Sequence, residues 1–595
     1  MQAVSVKLFL WAIFCSSVVL SLPISSLGVT ITSGPVVTRS SNAPLAGLLR
    51  LGTDVDTRVS VSVDDGISTW ERHFYDYATN HAIPLLGFKA GRTNTIVVTV
   101  RDRLRNAVAA APVTMITAPL PKTFPKITVL ESKPERMEPG YTLCRIIAAG
   151  FGTDYLTIFD NAGEVVWYDG NSSGGISVDV RQLENGDLFY PSGGSSFVEL
   201  SMLGANLRTW PVPPSLPIDS HEGLVTDHGT ILYLNVSAVT MTNVPTSTTD
   251  PNAPKTTAFV KFDQVVEISA TNSTLLNVWS ILDMFDPMRL TYLTQMAGGA
   301  WEAHHANAII EDPSDNSIIV SLRHQNALIK FSRATGQLKW ILGPHENWAP
   351  EYQRYLLTPV GTLFEWNYGQ HAPMLTPQGT ILLYDNGNFR ATPFDPFVAD
   401  QDNYSRALEY RIDEERMEVS QVWEYGEHTP ERLFTGFVGD ANWLPQTENV
   451  LITFGAISYV NGIHPSPVAP NALMVRVKEV THDANPEVVF DLAVFDFANT
   501  NSAYGGNWMY RSLRIPDLYP HPPTAVSDLM LKFENGRPTL DFSADPKRAY
   551  FVEASPDLVH WVELDEAALQ GNGDFAFVDQ YPTSFPTRYY RIATK

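Results

Sequence analysis

Much of the chain alternates apolar and polar positions with a period of two, the pattern of strands that bury one face. From Gly28 to Asp102 the segments "TRVSVSVDD" and "NTIVVTVRD", punctuated by Gly and Pro, predict a small β-sandwich. The proline-rich stretch "TAPLPKTFPK" (Thr117–Lys126) closes it. A second boundary, "YPHPPTAV" (Tyr519–Val526), precedes a strand-like tail with "YFVEASPDLVHW" and "TRYYRIATK". Domains are therefore expected over 27–122, 123–522 and 523–595. Between the boundaries two phrases recur. One is a polar turn followed by an apolar strand, as in "LENGDLFY", "VTDHGTILYL", "LTPQGTILLYDNG" and "LPQTENVLITFG". The other is strand, turn and a strand ending in an aromatic, as in "FDNAGEVVWYDG", "FSRATGQLKWILG" and "YRIDEERMEVSQVWEYG". Sheets repeated at a loose period around an axis produce this text, so the fold class expected is all-β, a six-bladed β-propeller flanked by the sandwich and a small C-terminal β-module. The loose spacing also fits five or seven blades, and a stacked sandwich is the alternative.

Length and charge narrow the picture. A chain of 595 residues is too long for one core. Its net charge of −23 argues against nucleic acid or an anionic membrane as a partner, and an anionic substrate would need a local positive pocket. The first stretch carries Lys7, an apolar run to about Leu20 and then small residues, which predicts a signal peptide over 1–26 and export to the periplasm or the medium. That run is short for a membrane span, and no later one reaches that length. Cys15 lies in the leader, so the exported chain would keep only Cys144 and form no internal disulfide.

The chemistry lies in register with the repeat. His221 stands before Ile231, His371 before Ile381, His305 before Ile318, and Asp440 before Val450, each just upstream of an apolar strand. Equivalent positions of a propeller converge on its axis, so these four are expected to meet. A histidine hydrogen-bonded at a strand start is the ordinary explanation of any one of them; three in register weigh against it. Strand alternation puts His305 and Asn307 on one face and turns His304 away. Arg323 ends the partner strand "SIIVSLR" and is expected at the same rim, with His324 on the opposite face.

Three imidazoles suit a metal, but a fixed guanidinium repels a divalent cation unless carboxylates such as Asp440 and Glu222 offset it. Arginine with several histidines and an asparagine suits a tetrahedral oxyanion, sulfate or phosphate. A neutral imidazole can attack the central atom and a protonated one can protonate the leaving oxygen, which gives ping-pong kinetics through a modified histidine. No phosphate-binding glycine loop accompanies them, so a nucleotide donor is not indicated.

The segments "HHANAIIEDPSDNSIIVSLRHQNALIKFSRATGQLKWILG", "YGQHAPMLTPQGTILLYDNGNFR" and "SRALEYRIDEERMEVSQVWEYG" closely resemble the bacterial arylsulfotransferases. The resemblance runs from about Thr128 to Tyr519, with a weak extension through "HAIPLLGFKAGRTNTIVVTV". It implies a six-bladed propeller, often a homodimer, exported to the periplasm and using no nucleotide donor; no cofactor or metal is expected. The implied reaction moves a sulfuryl group from a phenolic sulfate ester to a phenolic acceptor. By the same resemblance His371 in "GQHA" is the histidine that becomes sulfated. His221, His305, Asn307 and Arg323 hold the sulfuryl and bridging oxygens, and Thr435 is the nearest match to a further substrate-binding threonine. Trp366, Tyr368 and Phe389 are candidates for the phenol pocket, against the usual role of propeller aromatics in packing between blades. Two features depart from the family: no disulfide can form at the rim, and the tail after Pro523 is outside the pattern. A metal-dependent propeller hydrolase or oxygenase and a non-enzymatic adhesion propeller are the rival classes.

Overall fold

A computed structural model describes residues 28–169, 178–219, 221–297, 300–466, 472–497, 506–520, 525–580 and 587–594. The expected leader lies outside the described residues. In the N-terminal region, Gly47–Asp64 is an unusually long strand that pairs with Ile31–Arg39 at its start, Thr93–Asp102 at its end and Thr69–Leu85 along most of its length. Its pairing slips between Gly52 and Val59, and such bulges bend a strand. The two layers are thus halves of one six-stranded sheet, closed over Leu49, Val59, Val61, Ile83, Ile96 and Val98.

Between Ile127 and Ile515 the described residues form six successive sheets, all built on antiparallel meanders. Each has one edge strand directed at a common centre. In chain order these are β1 (Arg181–Gln182), β2 (Gly223–Val225), β3 (Ala306–Asp312), β4 (His371–Leu375), β5 (Asp440–Trp443) and β6 (Asn507–Ile515). From β2 onward each packs against the next. The ring is closed by sequence-distant pairing: β6 joins Tyr141–Ala148 of the first sheet, and Ile127–Ser132 joins Val488–Val494 of the last. Closure by hydrogen bonding removes the exposed edges that an open array would leave.

The propeller strands read as continuous apolar runs because both faces are covered by neighbouring sheets. Every residue of "SIIVSL" (Ser317–Leu322) is buried. Between two sheets Ile319, Leu328, Trp340 and Leu342 mesh with Ile381, Leu383, Leu408 and Tyr410. Each such side chain is worth about 1.5–3 kcal/mol of burial, which makes the sheets a stiff mount for whatever their inner ends carry. Cys144 is a buried free thiol, pushed up in pKa by burial alone. The C-terminal region holds two small sheets around Leu540, Phe542, Tyr550, Val552 and Phe575, and it meets the N-terminal sheet through Tyr77 Oη donating to Glu566 (2.7 Å) and an Arg105–Asp565 ion pair (2.6 Å). Among the described residues no helix is long and apolar enough to cross a membrane.

Candidate active site

His221 just before β2, His305 just before β3 and His371 at the head of β4 come together at the central axis. The rings of His221 and His305 lie edge to face with centroids 5.0 Å apart. Tyr510 of β6 stands between His221 (6.0 Å) and His371 (6.1 Å). Its hydroxyl donates to the Asn307 carbonyl. Convergence has a backbone cost: His305 (φ 52°), Ala372 (φ 46°) and Val438 (φ 57°) all sit in the left-handed region, and strain of this kind collects at functional sites. Gly439 (φ 124°) follows; a Cβ there would stand 2.3 Å from the Tyr384 ring.

The tautomer of His371 follows from its partners. Asn386 gives both Nδ2 hydrogens away, to the carbonyls of Thr435 (2.8 Å) and Val438 (2.8 Å). Turning the amide over would set its oxygen against two carbonyls, so Oδ1 faces His371 Nδ1 at 2.6 Å and must accept from it. His371 Nε2 therefore carries the lone pair, and the Val438 N–H points at it from 3.3 Å. Burial and then the Arg323 charge hold His371 well below the usual imidazole range, so it is neutral at physiological pH.

The other two histidines rest on carboxylates. His221 Nδ1 lies 2.6 Å from Asp219 Oδ2, and His305 Nδ1 lies 3.0 Å from Glu302 Oε1. The bond to His305 is the main cause that keeps Glu302 below the usual carboxylate range, while burial pulls His305 down. Alternation along a strand would turn His324 away. Instead it stacks on His305 with centroids 4.5 Å apart and planes 14° from parallel. The strand ends at Leu322, and Arg323–Gln325 form a 3₁₀ turn to which a period of two does not apply. His304 is fully buried against Phe285.

Arg323 is the most exceptional group in the site. It is 8% exposed, its Nη2 donates to the Gly436 carbonyl (2.9 Å), and its buried Nε has no partner. No carboxylate stands within ion-pair distance among the described residues, and burial pulls the guanidinium down to about 10. A buried cation without a counter-ion is costly and calls for an anion. Asn307 is fully buried; its Nδ2 donates to the Gln370 carbonyl (2.8 Å), and its Oδ1 has no partner. It thereby ties β3 to the residue preceding His371. Thr435 enters through its backbone, whose carbonyl receives Asn386 and whose N–H donates to Ser405 Oγ (2.9 Å).

Asp440 reaches the axis at the head of β5 but joins a different layer. There Arg511 contacts Asp179 (3.2 Å) and Glu222 (3.0 and 3.2 Å), and Arg181 contacts the same two carboxylates. Asp440 takes Asn442 Nδ2 (2.6 Å) and is pushed up to about 6, chiefly by burial. Of the carboxylates that were candidates to offset Arg323, Glu222 is thus engaged by Arg181 and Arg511, and Asp440 lies in the field of the same two cations. The ligand atoms of Glu302, His305 and His324 lie within 4.8 Å of one another, the one cluster of metal-ligand type among the described residues.

Of the candidate aromatics, Trp366 packs on Phe364 (4.7 Å) and His345 (5.3 Å), whereas Phe389 stacks on Tyr292 (5.3 Å) and Tyr368 gives its carbonyl to Gly387. Phe437 lies nearer the reactive groups in sequence, between the residues bonded by Arg323 and His371; it is partly exposed and edges onto Trp508 (6.0 Å). Sequence reasoning missed Asp219, Glu302, Asn386, Tyr510 and this pair. Asp219 and Glu302 stand two and three residues before their histidines, a local signal that was available.

Fold and site together define a β-propeller that holds a neutral, tautomer-fixed imidazole near a buried guanidinium with no ion pair among the described residues. A profile of one family, Arylsulfotransferase (ASST), matches residues 126–505, and the chain belongs to that family. Its curated relatives include Arylsulfate sulfotransferase AssT of Escherichia coli O6:H1, 26% identical over 395 residues (55% of this chain, 62% of that protein). Another is Arylsulfate sulfotransferase AssT of Lelliottia amnigena, 24% identical over 392 residues (55% and 62%). The chain thus spans 62% of the length of these relatives. Among solved structures, the hydrazine synthase of Kuenenia stuttgartiensis aligns at TM-score 0.28 and 12% identity over 54% of this chain and 67% of that one, a likeness too slight to argue from.

Proposed function

We propose that this protein transfers a sulfuryl group from a phenolic sulfate ester to a phenolic acceptor, by a ping-pong route through His371 and without a nucleotide or a metal. The observation that carries the reading is the buried Arg323, which makes no ion pair among the described residues and whose charge acts on His371. A guanidinium offers two oriented donors to the sulfuryl oxygens. Neutral His371 attacks sulfur through Nε2 while the aryl oxygen departs. His221, backed by Asp219, supplies the proton; His305 and Asn307 complete the oxygen-binding wall. The transition state should be loose, as in phosphoryl transfer, so positioned charge does most of the work. In the second half a phenol enters, gives its proton to His221 and takes the sulfuryl group. We assign the aryl ring to Phe437 and Trp508, supported by the position of Phe437 between the residues bonded by Arg323 and His371. Export, supported by the apolar leader, and pairing into a homodimer, implied by the family resemblance, belong to the same proposal.

Release of 4-nitrophenol from 4-nitrophenyl sulfate, with and without phenol and with and without a chelator, tests it. Acceptor-dependent, chelator-insensitive release accompanied by an aryl sulfate product is expected. Release abolished by the chelator would favour a metal at Glu302, His305 and His324 instead.

A further inference from the structure

Three histidines at equivalent places have unlike supports. His221 and His305 lean on carboxylates, and His371 leans on an amide. We propose that Asn386 is the positioning residue that keeps the Nδ1 proton on His371 through the whole cycle and, because it is uncharged, keeps the sulfuryl group on Nε2 transferable. This rests on the reading that His371 carries that group.

The balance of the first half-reaction shows why the support matters. Nε2 forms a bond to sulfur, the S–O(aryl) bond breaks, and the aryl oxygen takes a proton from protonated His221. His371 keeps its Nδ1 proton, so the sulfated ring is an imidazolium, a good leaving group for the second half. A carboxylate in place of Asn386 would draw that proton away. The ring would become a neutral N-sulfonated imidazole, which releases sulfur far less readily. An apolar residue would leave the tautomer free, with the proton on either nitrogen. The amide oxygen accepts strongly enough to fix the proton and too weakly to remove it.

The amide's own orientation is over-determined by the Thr435 and Val438 carbonyls. The charges around it do not substitute for it. Asp385, one residue away, is engaged by Arg390 (3.2 Å) and Arg406 (3.0 Å) and by the N–H groups of Tyr368 and Gly387. The positive charges that act on His371 are Arg323 first and then His221 and His305, and all three lower its pKa.

The test separates the half-reactions. Parent and Asn386→Asp are treated with 4-nitrophenyl sulfate alone and desalted, the adduct on the His371 peptide is quantified by mass spectrometry, and phenol is then added in a single-turnover assay. Asn386→Asp is expected to form the adduct and pass it to phenol roughly 10–100-fold more slowly than the parent, the usual range for losing a partner that tunes a reactive group. Transfer at the parent rate, or equal loss in both halves by a folded variant, overturns the proposal. A direct measurement covers the case of a variant that does not fold. In ¹⁵N-histidine-labelled parent, the signals lost in His371→Asn should show a protonated Nδ1 and a lone-pair Nε2 from pH 6 to 9; the opposite tautomer overturns the proposal. Absence of any adduct on parental His371 would instead defeat the underlying reading.

Discussion

Replacing Arg323 with lysine keeps a positive charge in name and should still cripple the proposed sulfuryl transfer, in a way that depends on pH. The guanidinium is buried and has no ion-pair partner among the described residues, and burial, partly offset by the Glu302 charge, brings it to about 10. An ammonium starts near 10.4, so the same burial would bring a lysine to roughly 8. Arg323→Lys must be protonated to hold a sulfuryl oxygen, so its activity should fall as pH rises through about 8, where the parent still keeps its charge. Even below that pH one point charge replaces a planar fork, and loss of an oriented donor to a developing anion costs roughly 3–4 kcal/mol, or about 10²–10³ in turnover. The assay is kcat for 4-nitrophenyl sulfate with saturating phenol between pH 6.5 and 9.5, with single turnovers to isolate the chemical step. A variant that stays within about threefold of the parent (~0.7 kcal/mol), with the same pH profile, would refute the reasoning. Arg323 would then be a rim residue that holds Gly436.

Three further outcomes follow from the geometry. His371→Asn should form no sulfated peptide and lose roughly 10⁴-fold or more in turnover while retaining its β-sheet circular dichroism, as expected for removal of a covalent nucleophile. Asp219→Asn should slow 4-nitrophenyl sulfate modestly and phenyl sulfate by about 10²-fold or more, because the poorer leaving group needs the proton; equal factors would make Asp219 merely structural. Asp440→Asn tests the charged layer. Asp440 is raised from its ordinary 3.8 to about 6, so its contribution to stability is full below the lower value and lost as pH rises through the upper one. The variant should therefore melt above the parent at pH 8, by at most about 3 kcal/mol, and not at pH 4; a gain that ignores pH would dismiss this account.

The meeting of His221, His305 and His371 was legible because a repeat fold converts sequence register into spatial convergence. Arg323 was legible because its strand returns to the same rim. Beyond that the register misleads. Asp440 occupies the same place in its repeat and yet serves another layer, because the β6 residue beside it is Arg511, which the repeat does not specify. His324 breaks the strand period at a 3₁₀ turn that nothing in "LRHQN" announces. Asn386 was hidden for a different reason: "YDNG" reads as the end of an apolar strand running into an Asn-Gly turn, and turn chemistry is a sufficient explanation of those residues until the carbonyls of Thr435 and Val438 are placed around the amide. Tyr510 comes from the strand that closes the ring, far from every motif.

What the periodic pattern leaves out is the set of partners, and here the partners divide the work. Three imidazoles at equivalent ends of three sheets differ little in themselves. A carboxylate beside Nδ1 orients the rings of His221 and His305 and holds a proton on that nitrogen, leaving Nε2 for other partners. An amide on Nδ1, in a buried setting that feels the Arg323 charge, leaves His371 neutral with its lone pair on Nε2, where the Val438 N–H meets it. Exchanging the supports should therefore exchange the aptitudes. His371 backed by a carboxylate should hold its sulfuryl group, and His221 backed by an amide should lose its proton-donating role first with the poorest leaving groups. These two defects fall in opposite half-reactions and on separate side chains, so failure of either to appear in its own half would show that the division of labour does not lie in the partners.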